Sequence, residues 1–242
     1  MRVLVVGIGD AFTSRHFGCS CVVEAPEGLV LVDCPDSPHR ALEEACRTSG
    51  WEVRAADIRH IIITHLHGDH VNGLESVGFL QWLARMRHPA PRPRLYMGAE
   101  AGARVWERLA PAMDQGGRAT LADYFELHVL RPDVPSRIAG LEVESRLTGH
   151  PVPTTALRFS GGGRRFGWSS DTPWDPSLVD WLSGCHLVVH ETSPAPAHTP
   201  VEHLNRLPDE LRRRMRLMHV PDDFDPASSD IPVLRQGEVL TV

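Results

Sequence analysis

Residues 64–73 read Thr-His-Leu-His-Gly-Asp-His-Val-Asn-Gly, and the apolar run Ile61-Ile62-Ile63 stands directly before them. His65, His67, Asp69 and His70 therefore crowd the end of what reads as a buried strand. Packing does not ask for such a cluster, because polar side chains gathered at one spot must be solvated, paired or bound to something. Two histidines two positions apart in an extended segment project to the same side, so His65 and His67 can share a metal. Asp69 and His70 follow Gly68, a residue free to take the backbone angles of a sharp turn, and can face a second metal beside the first. Imidazole and carboxylate are ligands that zinc accepts, and manganese and iron take them too. A lone histidine is more often a hydrogen-bonded core or surface residue, but a cluster in H-x-H-x-D-H order is not explained that way.

The rest of the chain places this cluster. With 242 residues, of which 42% are apolar, the sequence can bury a large core, and one domain over residues 1–242 is expected. No run of about 18 apolar residues is present to span a bilayer. The opening MRVLVVGIGDAF turns polar too soon for a signal peptide, so a cytoplasmic protein is expected. Cys19, Cys21, Cys34, Cys46 and Cys185 are scattered and odd in number, which argues against a disulfide framework. Cys19-x-Cys21 reads as two strand residues on one face rather than a zinc knuckle.

Net charge is −6 and every basic side chain is arginine. An acidic chain is a poor general binder of nucleic acid, since affinity for phosphate backbones rests on clustered positive charge. Arginines do gather at 85, 87, 92, 94, 104 and 108 and again at 212, 213, 214 and 216; most such runs are solvated faces, and a substrate-binding role is the alternative.

Short β-branched runs at 2–6, 21–25 and 29–34 predict strands, the last two joined at Pro26-Glu27-Gly28. Residues 37–49 predict a helix with Ser37 as N-cap, Pro38 at its first position and Gly50 as its stop. Further strands are expected at 59–64, 94–97, 124–130, 141–147, 154–160, 164–170, 186–190 and 215–219. Helices are expected at 74–87, 99–109, 176–183 and 201–214. Such an order argues for sheets covered by helices rather than one regular doubly wound sheet. Gly7-x-Gly9 lacks the full dinucleotide fingerprint and reads as a loop.

A metal pair needs more ligands than one loop supplies, and the distant sequence offers them where apolar runs stop. Thr148-Gly149-His150 follows the strand 141–147, Ser169-Ser170-Asp171-Thr172 follows 164–170, and Leu217-Met218-His219 closes 215–219. His16, His39, His60, His88, His128, His186 and His203 lack such a setting and read as surface or capping residues. Asp33, at the end of Leu29–Asp33, reads as a residue that supports a ligand or forms a turn rather than as a ligand.

The set THLHGDH, TGH at 148–150, SSDT at 169–172 and MH at 218–219, in this order, resembles the metallo-β-lactamase superfamily over nearly the whole chain. The resemblance implies an α+β fold, a four-layer αβ/βα sandwich of two mixed β-sheets, with a dinuclear site where the sheets meet. It further implies that His65, His67 and His150 hold one ion, that Asp69, His70 and His219 hold the other, and that Asp171 bridges both. The cofactor expected is two divalent ions, zinc first, with manganese or iron as alternatives. Hydrolysis is then the expected chemistry, because paired ions about 3.5–4 Å apart activate water at neutral pH and polarise the bond under attack.

Val188-Val189-His190-Glu191-Thr192 resembles the H-E-A-T segment of ribonuclease Z, and Ala197-His198-Thr199-Pro200 resembles that family's G-H-S-T element. Carried over, the roles of orienting carboxylate and proton donor fall on Glu191 and His198, with Asp69 as the third catalytic residue. A carboxylate that orients an imidazole and keeps it protonated makes a reasonable acid. The plain alternatives are that Glu191 caps a turn and that His198 is a loop residue. The chain carries no insertion of the length or basicity of the arm with which ribonuclease Z grips transfer RNA. A small-molecule or short phosphodiester substrate is therefore expected in place of tRNA, with no membrane partner and with a homodimer possible by resemblance. The W-S-S-D-T wording is similar to cyclic phosphodiesterases of phosphonate breakdown, whose cysteine-rich zinc site is here reduced to Cys19-x-Cys21. A lactone or other carboxylic-ester hydrolase is the rival reading; it would need a neutral pocket, often with a tyrosine, and only Tyr96 and Tyr124 are available.

Overall fold

The computed structural model describes residues 1–242 and resolves two mixed sheets with helices on their outer faces. In chain order the strands are β1 Arg2–Gly7, β2 Ser20–Ala25, β3 Gly28–Val32, β4 His60–Ile62, β5 Arg94–Gly98, β6 Glu126–Leu130, β7 Ser136–Ile138, β8 Leu141–Leu147, β9 Thr155–Gly161, β10 Arg164–Trp168, β11 Leu187–Glu191, β12 Met215–Met218 and β13 Val239–Thr241. The helices are α1 Pro38–Ser49, α2 Gly68–Val71, α3 Leu74–Arg87, α4 Ala99–Met113, α5 Leu121–Tyr124, α6 Pro176–Ser183, α7 Val201–Asn205 and α8 Asp209–Arg213. The first sheet runs β13-β1-β2-β3-β4-β5-β6, and the second runs β12-β11-β10-β9-β8-β7. Each contains parallel and antiparallel pairs: β3 to β6 are mutually parallel beside the antiparallel β1, β2 and β3, and β10 to β12 are parallel beside the antiparallel β7 to β10.

The layering follows from strand periodicity. Successive side chains of a strand point to opposite faces, and β1 reads apolar on both: Val3 and Val5 enter one cluster, Leu4 and Val6 another. The first cluster lies between the sheets, where Val23, Val30, Val32 and Ile62 meet Val143, Leu157, Phe159, Phe166, Trp168 and Val189. The second packs Leu31, Ile61 and Ile63 under α1, α3 and α4 through Ala41, Leu42, Leu74, Val77, Val105 and Leu109. The third packs Val188 and Leu217 under α6, α7 and α8 through Leu178, Leu182, Leu204 and Leu211. Helix, sheet, sheet, helix is the four-layer sandwich expected from the motifs. No helix is long and apolar enough to cross a membrane.

Several local expectations need correction. Ser37 precedes α1 but takes a left-handed conformation and makes no side-chain cap. The helix expected over 201–214 is two short helices, because Pro208 lacks the N–H that would continue the first and instead opens the second. Helix α4 runs four residues further than expected, with Pro111 inside its last turn. Residues 121–124 form a helical turn closed by a Thr120/Asp123 capping box, so β6 begins at Glu126. Strands β7 and β13 are too short to carry a readable alternation. The parallel strands stop before the polar residues that follow them, which leaves His65, Asp171 and His219 in connecting loops.

Phe166 is fully buried between the sheets and stacks on Phe159 at 5.7 Å between ring centroids. Phe166→Ala should lower unfolding free energy by about 3–5 kcal/mol, read as a drop in the urea midpoint. A loss under about 1 kcal/mol would mean that the inter-sheet layer collapses readily and is not a close-packed core.

Candidate active site

Four strand ends deliver the polar cluster to one place. Beyond β4, Thr64 to His67 leave in an extended path and place His65 and His67 with ring centroids 4.9 Å apart. The turn α2 then swings Asp69 and His70 toward the same point. Gly68 does this without a left-handed backbone, contrary to expectation; it opens α2, and a Cβ there would lie 2.9 Å from the Asn72 side chain. Gly73 has the tighter requirement, since its Cβ would meet the Pro35 carbonyl at 2.3 Å. His150 arrives beyond β8, Asp171 beyond β10 and His219 beyond β12. Ser170 and His219, like Asp33 beyond β3, hold positive φ angles of 53°, 57° and 58°. Non-glycine residues in that region cost free energy and persist where the surroundings over-determine them.

Asp171 is the hub. Its Oδ2 lies 3.6 Å from His65 Nε2, 3.8 Å from His150 Nε2 and 3.4 Å from His219 Nε2, while its Oδ1 lies 3.4 Å from His70 Nε2. Asp69 Oδ2 is 3.2 Å from His70 Nε2 and 3.3 Å from His219 Nε2, and His67 Nδ1 faces His150 Nε2 at 3.1 Å. Two donor sets follow, His65/His67/His150/Asp171 and Asp69/His70/Asp171/His219, with the ligand atoms of each within 4.8 Å of one another. His65 Nε2, His70 Nε2 and Asp171 Oδ1 are buried with no hydrogen-bond partner. Buried polar atoms without partners are rare, and here they converge on common points with a nitrogen and oxygen set that suits a divalent ion. The residues fit a divalent-metal site.

Ring orientations are set from behind. Asp33, fully buried, accepts from the Thr64 backbone N–H at 2.7 Å and from the Thr64 hydroxyl at 2.9 Å, and its Oδ2 holds His70 Nδ1 at 2.9 Å. Thr64 in turn lies 3.1 Å from His65 Nδ1 and is free to accept its proton. His150 Nδ1 donates to the Ala197 carbonyl at 3.2 Å. In each ring Nδ1 is tied away, which leaves Nε2 facing the cluster. The expectation that Asp33 supports a ligand is met by this geometry, whereas Thr64 and the Ala197 carbonyl carried no signal in the sequence.

Charge divides the cluster into unlike halves. Burial lowers His65, His67 and His150 below the ordinary imidazole value. Burial would lower His70 and His219 too, but Asp171, aided by Asp33 on His70 and Asp69 on His219, outweighs it and raises both. Those two imidazoles overcome burial at Asp69 and Asp171 and hold these carboxyls well below the usual range.

Glu191 lies alongside, fully buried at the end of β11. Its Oε1 accepts from Thr172 N–H at 2.8 Å and holds His198 Nδ1 at 3.1 Å. Burial pushes the Glu191 carboxyl up, and the charge of Asp171 pushes the same way. The His198 ring stacks on His219 at 4.8 Å, and Glu191, His198 and His219 form a third convergent group. A cavity of about 330 Å³ is walled by Ala11, Phe12, His67, Gly68, Asp69, Asp171, His198 and His219.

The remaining candidates lie elsewhere. His16, His39, His88 and His186 are exposed, His203 stacks on Trp174, and His128 pairs with Glu126. His60, expected at the surface, is instead buried in β4 with Nδ1 3.1 Å from the Tyr96 hydroxyl. Burial pushes His190 down to about 4, and its Nδ1 donates to the Glu191 carbonyl. Cys19 and Cys21 are buried between the sheets with their thiols pushed up by burial, and no cysteine joins a convergent group. Arg212 pairs with Asp209 and Asp230, and Arg214 donates to the Ser183 and Cys185 carbonyls. Arg108 donates to Asn72 Oδ1 at 2.6 Å.

The family model of the Anti-Pycsar protein Apyc1 matches residues 1–239. The Anti-Pycsar protein Apyc1 of Paenibacillus sp. (strain J14) is 30% identical, with 100% of this chain and 99% of that protein aligned. The cGMP-dependent 3',5'-cGMP phosphodiesterase A of Dictyostelium discoideum is 24% identical over 99% of this chain, which spans 28% of that longer protein. Among solved structures, the metallo-β-lactamase fold protein YhfI from Bacillus subtilis superposes with a TM-score of 0.79 at 17% identity, covering 99% of this chain and 98% of its own. The short form of human tRNase Z superposes with a TM-score of 0.71 at 17% identity, covering 100% and 99%. At those identities the two structures speak for the fold.

A cation bound at His70 and His219 would compete with protons that Asp171 helps to hold there, whereas burial already weakens proton binding at His65, His67 and His150. Zinc or manganese titrations against a chromophoric chelator, between about pH 6 and pH 8, should therefore show one binding event that weakens steeply as pH falls and one that weakens less. Equal slopes would contradict this division. Asp33→Asn, which frees the His70 ring, should cost about 10–100-fold in affinity for the pH-steep event.

Proposed function

The chain belongs to the Anti-Pycsar protein Apyc1 family, and from that membership we propose that it hydrolyses 3',5'-cyclic nucleotides at a dinuclear divalent-metal centre. It is a hydrolase of the metallo-β-lactamase fold with named phosphodiesterases among its relatives. In this reading His65, His67 and His150 hold one ion, Asp69, His70 and His219 the other, and Asp171 both. The Dictyostelium relatives, described as 3',5'-cGMP and 3',5'-cAMP/cGMP phosphodiesterases, support the substrate class. Zinc is the ion we favour, with manganese or iron able to use the same donors.

One observation carries the phosphodiester reading: the Glu191–His198 pair, 3.1 Å apart, opens on the same cavity as the metal-binding side chains. Divalent ions bound there would supply a Lewis acid for the phosphoryl oxygens and lower the pKa of a water. The chain's own residues do the rest. Glu191, fixed by the Thr172 N–H, takes the Nδ1–H of His198 and so turns Nε2 toward the cavity. So presented, Nε2 donates a proton to the ribose oxygen as its bond to phosphorus breaks. Glu191 sits at the end of β11, and the loop that carries His198 is tied down through Thr192 and Thr199, so little entropy is spent at the moment of reaction.

The carboxylic-ester reading gains nothing from the tyrosines. Tyr96 bonds to His60 and Tyr124 donates to the Met113 carbonyl, and neither lines the cavity. A panel containing a 3',5'-cyclic purine nucleotide, a nitrophenyl phosphodiester and a lactone should show diester cleavage well above lactone cleavage; the reverse ranking would remove the phosphodiesterase assignment. His198→Ala should leave metal content unchanged and cost roughly 10²–10⁴-fold on the cyclic nucleotide, whose alkoxide must be protonated as it leaves. On the nitrophenyl diester, whose phenolate departs unaided, the loss should be much smaller. Equal losses on both would rule out the proton-donor role.

A further inference from the structure

The cavity wall contains one large apolar side chain, and neither metal binding nor proton transfer uses it. Phe12 is 91% exposed, the most exposed of the large apolar side chains, yet it lines the cavity together with His67, Asp69, Asp171, His198 and His219. An exposed apolar residue by itself needs no explanation. Its setting does, because the loop that carries it is fixed rather than floppy.

The loop closes at its base through Ile8 N–H and Gly9 N–H, both donating to the Phe17 carbonyl at 3.0 and 2.9 Å. Phe12 N–H donates to Asp10 Oδ1 at 3.0 Å. Asp222 then accepts from the Thr13 hydroxyl at 2.6 Å, the Ser14 N–H at 2.8 Å, the Ser14 hydroxyl at 2.6 Å and the Arg15 N–H at 3.1 Å. Asp10 N–H donates to the Val220 carbonyl at 3.2 Å, and Val220 N–H to the Ile8 carbonyl at 3.0 Å. The loop is thereby latched to the segment that directly follows His219, so the phenyl ring is stationed relative to a metal-binding side chain.

The rest of the wall leaves a need unmet. Apart from the metal-binding groups and His198, it offers Ala11, Gly68 and Phe12. With a cyclic phosphate at the metal-binding side chains, a nucleobase reaching toward solvent would find one flat apolar surface. We propose that Phe12 is a positioning residue that stacks on the base of the substrate. This rests on the cyclic-nucleotide reading above and adds to it how the part of the substrate remote from the phosphate is held. Base–aromatic stacking works with any base, since every base has a π-face, and is worth about 1–3 kcal/mol.

Steady-state kinetics of the metal-loaded enzyme test this with a 3',5'-cyclic purine nucleotide and a base-free counterpart, the 3',5'-cyclic phosphate of methyl riboside. Phe12→Ala should raise KM for the cyclic nucleotide by about 5- to 150-fold, the equivalent of the stacking free energy, with kcat changed far less. The penalty on the base-free diester should be much smaller, and Phe12→Trp should restore the low KM on the nucleotide. An equal penalty on both diesters, or none on either, overturns the stacking role while the cyclic-nucleotide reading stands. A wild-type enzyme that cleaves the base-free diester and no cyclic nucleotide overturns that reading, and the inference falls with it.

Discussion

Burying carboxylates is what the rest of this molecule must accommodate. Asp33 and Asp171 are 0% and 2% exposed, just beyond strands β3 and β10, whose closing residues are buried. An unpaired buried charge costs several kcal/mol, so each carboxylate dictates its surroundings. Asp33 is answered by Thr64 and His70, and Asp171 chiefly by the imidazoles of His70 and His219. The answering groups come from both sheets, so the cluster is complete only where the two sheets pack against each other. Removing one partner of such a set is expected to cost about 3–5 kcal/mol, because a charge is left behind without compensation.

The sandwich makes that convergence possible. Parallel strands β3 to β5 end on the same side of the first sheet, and β10 to β12 do so in the second. Loops leaving two sets of aligned strand ends meet across the inter-sheet core, and polar residues gather where the apolar alternation stops. Left-handed turns at Asp33, Ser170 and His219 sharpen each exit. Glu191, still inside β11, reaches the same region from the strand itself and brings His198 with it through one hydrogen bond. The histidine and carboxylate cluster and the Glu191–His198 pair thus converge on one frame, the form of preorganisation that electrostatic catalysis requires.

Much of this could be read from the sequence because strand ends are visible as breaks in apolar runs. His65, His67, Asp69, His70, His150, Asp171 and His219 are all brought together, and Glu191 does meet His198. What escaped depended on distance or on backbone shape. The bonds from Asp33 to Thr64 and His70 join residues 31 and 37 positions apart, and no local pattern announces them. His60 looked like a surface histidine because its partner, Tyr96, lies in the neighbouring strand. The helix over 201–214 broke at Pro208, a residue whose consequence is plain once it is weighed against the apolar spacing. Phe12 gave no signal at all, since a single phenylalanine in a polar loop acquires meaning only when the loop is seen against the cavity wall.

The most direct test is to strip the protein of metal, return zinc or manganese stepwise, and follow hydrolysis of a 3',5'-cyclic nucleotide together with metal content. Activity should be near zero in the stripped protein and reach its plateau at about two ions per chain, as a paired site requires. Full activity in the stripped protein, or a plateau reached at one ion per chain, would contradict the account.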